Sequence, residues 1–219
     1  MKQRSVLLLF VFVFWTMFFL VARGVFLACF SQHASALTAT EILAIFRYGV
    51  KMDLSAAAYA SAASGILLAL MYFKTGIQLW PVWIMLHAIA LIVASGVIVC
   101  DLALYPAWGY RIDIRALTDP GLHLSGTTAS HFAILMGAFL LLVSVALFIS
   151  FRFFSPRFHQ LRATSLATLP VMFGFTALLI IPMRGGLGVV EMNVSAAYSH
   201  RYSSFANHAG VNVVWNMAN

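Results

Sequence analysis

From Thr75 to Cys100 the chain carries no Asp, Glu, Lys or Arg, and the same holds from Val6 to Ala22. Uncharged apolar runs of this length fit the hydrocarbon thickness of a bilayer. They exclude most soluble folds, because no soluble core can hide them all. Composition agrees: 63% of residues are hydrophobic and 9% charged, where soluble domains carry about a quarter charged. The formal charge of +7 comes without a basic cluster. Its positive residues flank the apolar runs, which points to lipid headgroups rather than nucleic acid.

Five spans are predicted, at 6–30, 54–73, 80–104, 131–151 and 164–183. The first follows Lys2 and Arg4. Its apolar run exceeds a signal-peptide core and resumes beyond Arg23 as VFLACF, so a retained helix is expected, with Arg23 snorkelling to the surface. Ala34-Ser35-Ala36 only imitates a cleavage site. Thr38 and Glu41 form a capping box opening a short interfacial helix that Gly49 stops. Asp53 or Ser55 then caps the second span, whose small residues from Ser55 to Gly65 should make it the most enclosed helix. Aromatics mark the ends of the third span: Trp80 and Trp83 at one, Tyr105 and Trp108 at the other. His87 inside it is expected to hydrogen-bond a neighbouring helix. Thr118-Asp119-Pro120-Gly121 is a turn, and the SGTTAS stretch caps the fourth span. Pro170, Gly174 and Pro182 should kink the fifth. Residues 185–219 read as a connector with one or two interfacial helices. The predicted class is an all-α integral membrane protein: a five-helix bundle with short interfacial helices on the extracytoplasmic side. Cys29 and Cys100 form no redox or metal motif; two unrelated buried thiols are expected, although a disulfide is conceivable.

Lys2, Arg4, Lys74, Arg152, Arg157 and Arg162 fall on one side, in short segments. Their density places the N-terminus in the cytoplasm and the tail outside, in the inner membrane. The other side collects Arg23, Arg47, Lys51, Asp53, Asp101, Arg111, Arg115 and Arg184. Cations in excess of the acids there suit a phosphate. Arg47, Lys51, Asp53, Asp101, Arg111 and Arg184 are therefore the candidate site for an anionic lipid headgroup. The plainer reading has the cations snorkelling, Asp53 capping a helix and Asp101 pairing with an arginine. Asp101, at the edge of a span, needs a partner; Arg23, Arg47, Lys51 and Arg111 are within reach. Arg184-Gly185-Gly186 reads as a helix end, with an anion nest as the alternative. No nucleophile or metal motif is present: Asp119 and His123 are separated by Pro120 and Gly121, and His200 and His208 lack a third ligand.

YGVKMDLSAAAY (48–59), DLALYPAWGYRIDIRAL (101–117), and PMRGGLG followed by NVSAAY (182–198) carry a likeness. The chain resembles the N-terminal membrane region of lipoteichoic-acid-synthase-like, sulfatase-fold membrane transferases of the Bacteroidetes type. The resemblance implies five membrane helices leading to an extracytoplasmic domain of the alkaline phosphatase superfamily. In that family a metal-activated threonine, with a divalent metal such as Mn, moves phosphoglycerol or phosphoethanolamine from a phospholipid to an acceptor. No such domain lies within these 219 residues, so no catalytic residue, metal ligand or cofactor is assigned here. What the resemblance implies is an anchor that presents the donor headgroup, inactive alone, with membrane phospholipid and a separate or downstream sulfatase-like domain as partners. The alternatives are a non-enzymatic polytopic interaction subunit and, with less support, a small transporter.

Overall fold

The computed structural model describes residues 2–70, 74–115, 129–188 and 192–218. The turn at Thr118–Gly121, Asp119 with His123, most of the SGTTAS stretch and Phe73 at the second span's end lie outside them. Helix α1 covers Lys2–Cys29, α2 Ser31–Ala34, α3 Ala39–Leu70, α4 Gly76–Trp108 and α5 Ala129–His159. Two short pieces follow, α6 (Thr168–Ala177) and α7 (Ile180–Met183). The tail is a 3-10 turn, Val194–Ala197, then α8 (Ser204–Gly210) and α9 (Val213–Ala218). No strand occurs among the described residues.

Helices α1, α3, α4 and α5 are long and apolar enough to cross a membrane. The fifth expected span is shorter and broken. From Thr168 to Met183 it reaches about 24 Å at 1.5 Å per residue, short of the roughly 30 Å hydrocarbon core. The break before Pro182 has a local cause. Proline has no N–H to offer the Leu178 carbonyl, which instead accepts from Ile181 N at 3.2 Å.

The expected stop at Gly49 is overturned. Helix α3 runs through it from Ala39 to Leu70, so the predicted interfacial helix and second span are one element. Gly49 serves close approach instead: a Cβ there would collide with the Arg23 guanidinium and the Gly210 carbonyl. The capping box does open α3. Glu41 Oε2 accepts from Thr38 N at 2.7 Å, and Thr38 Oγ1 accepts from Glu41 N at 3.3 Å. The small-residue stretch also behaves as expected, since α3 is the most enclosed of the four long helices and α5 the least. Helix α4 starts earlier than expected, on a Thr75–Gln78 capping box, and ends at Gly109 with φ 69°.

The two ends of the bundle are tied differently. At one end the buried Arg4 guanidinium donates to the carbonyls of Leu68 (2.8 Å), Lys74 (2.9 Å) and Arg162 (3.2 Å). Arg4, Lys74 and Arg162 belong to the expected short-loop group, and the bundle gathers them together. Between the ends, Trp83 Nε1 donates to Ser64 Oγ at 3.0 Å, and His87 Nε2 meets Ser150 Oγ at 3.0 Å. His87 is thus the interhelical partner that the sequence suggests. Both cysteines are free and exposed, not buried as expected.

Candidate functional site

The opposite end holds the charge. Arg23 does not snorkel; it is 4% exposed and turned inward. The space left by Gly49 admits its guanidinium between α1 and α3. Its Nη2 donates to Asp53 Oδ2 at 2.7 Å and to the Gly49 carbonyl at 3.0 Å, and its Nη1 to the Ala209 carbonyl at 2.7 Å. Asp53 is fully buried, and its second oxygen accepts from Asn212 Nδ2 at 2.8 Å. Asp53 therefore does not cap a second span; it lies within α3 and compensates a buried arginine.

A second pair lies alongside. Arg111 Nε approaches Asp101 Oδ2 to 2.9 Å, a contact that is ionic rather than a well-aligned hydrogen bond. Asp101 Oδ1 accepts from Ile112 N at 2.9 Å. Arg111 also reaches the His208 carbonyl at 3.3 Å and lies 4.1 Å over the Phe26 ring. Burial pulls the Arg111 guanidinium below its ordinary value, Asp101 pushes it back up, and the charge of Arg23 adds to the lowering. Arg23, Asp53, Asp101, Arg111 and Asn212 line one cavity of about 20 Å³, the size of a single water.

The tail closes this layer, and its contacts advance along α3 in parallel. His200 Nε2 meets Glu41 Oε1 at 2.7 Å. Ala209 shares Arg23 with Gly49, and Asn212 binds Asp53. Trp215 Nε1 donates to Ser55 Oγ at 3.0 Å, while Ser55 Oγ donates to the Met183 carbonyl at 2.8 Å. Across the bundle, Tyr105 Oη meets His208 Nδ1 at 3.1 Å and Asn216 Nδ2 donates to the Ile112 carbonyl at 2.8 Å. Burial, then the charge of Arg111, holds His208 below the usual histidine range. The expected connector with its short helices is packed against the bundle. Among the described residues no group of three metal-ligating side chains forms.

The six candidate residues divide. Asp53, Asp101 and Arg111 gather with Arg23 in the buried layer, where two cations face two carboxylates. That balance removes the expected surplus of positive charge from the buried layer. Arg47, Lys51 and Arg184 are exposed, and no ion pair among the described residues involves them. Arg47 and Lys51 are one turn apart on α3. Ser55, one further turn along and buried, donates to the Met183 carbonyl, which brings the end of α7, followed by Arg184, against this stretch of α3. Arg115 pairs instead with Asp113, and hydrogen bonds from Arg115 lower the Asp113 carboxyl. The anion nest at Gly185-Gly186 is not formed. Gly185 N donates to Pro182 O at 3.0 Å and Gly186 N to Ile181 O at 2.9 Å, with φ of 81° and 138°. Those amides finish α7, as the helix-end reading expects.

Sequence reasoning missed Asn212, Trp215 and the inward role of Arg23. Gly49 was the available signal: a glycine four residues before Asp53 on a helix leaves room for a long side chain from a neighbour. Comparison with protein-family models, curated proteins and solved structures gives no match for this chain.

Proposed function

We propose that this chain is a membrane anchor that presents an anionic lipid headgroup, in the manner of the membrane region of a phosphoglycerol or phosphoethanolamine transferase. The observation that carries the reading is that Arg47, Lys51 and Arg184 are exposed and enter no ion pair among the described residues, beside the sealed charge layer; in this proposal they act as one strip. Cations with no acid to neutralise them attract phosphate, and arginine grips it with two N–H groups. The buried layer has a different part. It fixes the tail, and with it the height of the strip, at one end of the bundle. In this proposal that end is extracytoplasmic, the N-terminus is cytoplasmic, and α6 with α7 completes the fifth crossing in the inner membrane. The sulfatase-like catalytic partner, with its divalent metal, belongs to the resemblance alone.

The test is lipid retention by native mass spectrometry from nanodiscs holding equal phosphatidylglycerol and phosphatidylcholine. The chain should retain phosphatidylglycerol preferentially, and a combined Arg47→Gln, Lys51→Gln, Arg184→Gln variant should lose the preference. An unchanged ratio refutes the strip. Metal-dependent release of phosphoglycerol from a fluorescent phosphatidylglycerol by the purified chain would refute the inactive-anchor reading.

One observation favours an interaction subunit as the second reading. Helix α5 packs mainly on α4 and leaves most of its apolar surface facing outward. Stable co-purification of a protein partner without bound phospholipid would select it.

A further inference from the structure

A lateral cleft of about 430 Å³ opens between α3 and α4. Trp15 and Phe19 of α1 form its floor, Ala56 and Ala60 one wall, and Ala90 and Ala94 the other. Trp15 stands midway along α1, and Ala90 and Ala94 straddle the middle of α4. The cleft is therefore at hydrocarbon depth, where acyl chains are the surrounding solvent. We propose that it holds one hydrocarbon chain of a membrane lipid.

Three observations fix the occupant. Two side-chain bridges flank the cleft along α3: Trp215, which lines it, to Ser55 at one end, and Trp83 to Ser64 in the adjoining smaller cavity at the other, each 3.0 Å. Ser55 and Ser64 are nine residues apart on α3, about 14 Å of helix. A membrane-crossing helix needs about 30 Å and cannot lie along a window of that length. A flexible chain entering sideways can. The lining is also wrong for water: apolar cavities of this kind stay dry and take apolar guests. A smaller cavity of about 40 Å³ continues between Ala60 and Ala90 to the Trp83–Ser64 bridge, giving the guest a tapering end.

The protein also leaves the wall unfinished. The Trp15 indole is 1% exposed, and its Nε1 has no acceptor among the described residues. Wall atoms facing a void forfeit their dispersion contacts. An acyl chain supplies those contacts along its methylenes. This inference is independent of the cation strip, because the chain and not the headgroup is held.

The experiment uses phosphatidylcholine with a photoactivatable group in one acyl chain, in nanodiscs containing the full chain, with labelled positions mapped by peptide sequencing. Labelling is expected at Ala60, Ala90 and Val93 above that at Leu140 and Leu141, which face outward on α5. Ala90→Phe should lower cleft labelling by about tenfold, the worth of about two methylenes losing burial, and leave α5 unchanged. Ala60→Leu is a milder plug that tests the same point should Ala90→Phe fail to fold. Cleft labelling no higher than on α5 in the unaltered chain overturns the proposal. So does labelling indifferent to both plugs, or a cross-link from the cleft to a second copy of this chain. A phosphatidylglycerol version should label equally; labelling confined to it would assign capture to the headgroup and also overturn the proposal.

Discussion

Replacing Asp53 with alanine should loosen the tail and melt the bundle early. Asp53 takes 2.7 and 3.3 Å hydrogen bonds from Arg23 and a 2.8 Å bond from Asn212, with no exposed surface. Removing it leaves the Arg23 charge buried and uncompensated. Breaking one side of such a pair costs about 3–5 kcal/mol. For a chain of this length that lowers Tm by about 6–20 °C. Asp53→Asn keeps the volume and one acceptor and should fall between alanine and the unaltered chain. The instructive comparison is the double change Arg23→Met with Asp53→Leu. Replacing both charges by apolar groups removes the desolvation penalty along with the attraction, so the double variant should be more stable than Asp53→Ala alone. It should not regain full stability, because the Ala209 carbonyl loses its donor. Thermal melts in a mild detergent give the first readout. Trypsin cleavage at the exposed Arg201 gives the second, since a loosened tail is cut faster. If Asp53→Ala costs under about 1 kcal/mol, as an exposed pair would, the layer does not hold the tail and the reasoning fails.

Three further predictions follow from local geometry. Gly49→Ala should destabilise by about 1–3 kcal/mol, because its Cβ meets Arg23 and the Gly210 backbone; Gly24→Ala, with open space around it, should be neutral or stabilising in the same melts. Glu41→Ala removes both the capping-box contact of α3 and the His200 contact, so it should lower the melting temperature slightly and speed cleavage at Arg201. His208 is held below its ordinary value near 6.5, so the folded form disfavours the proton that the unfolded chain accepts. Stability should be unaffected by this group above about pH 6.5 and lost as pH falls below it. His208→Gln should lose less Tm between pH 8 and 5 than the unaltered chain, and an equal loss would refute the assignment.

Much of the bundle was legible because membrane-length apolar runs leave few options. The grouping of Arg4 with Lys74 and Arg162, the capping box at Thr38, the enclosure of α3 and the pairing of His87 all follow from local pattern. The Asp101–Arg111 pair was within reach because only ten positions separate the two residues. Arg23 with Asp53 was not, since a cation at a helix end ordinarily snorkels. Gly49, four residues before Asp53, offers room for a long side chain, but that Arg23 fills it is visible only once α1 and α3 are packed. The partners of the tail are not legible for a related reason. VNVVWNMAN is too short to cross a membrane, and nothing in its own spacing shows that Asn212 and Trp215 find partners 159 and 160 positions upstream. The continuity of α3 through Gly49 is tertiary as well: a glycine stop signal yields when the helix is gripped on both sides.

The sequence distances in the charge layer set an order of assembly. Arg23 meets Asp53 after only 30 positions, but the Ala209 carbonyl that completes its shell lies 186 positions downstream. A nascent bundle therefore carries an ion pair with an open flank until the segment around Ala209 and Asn212 has been synthesised and has folded back. Until then the charge that the finished bundle buries has one side open to its surroundings.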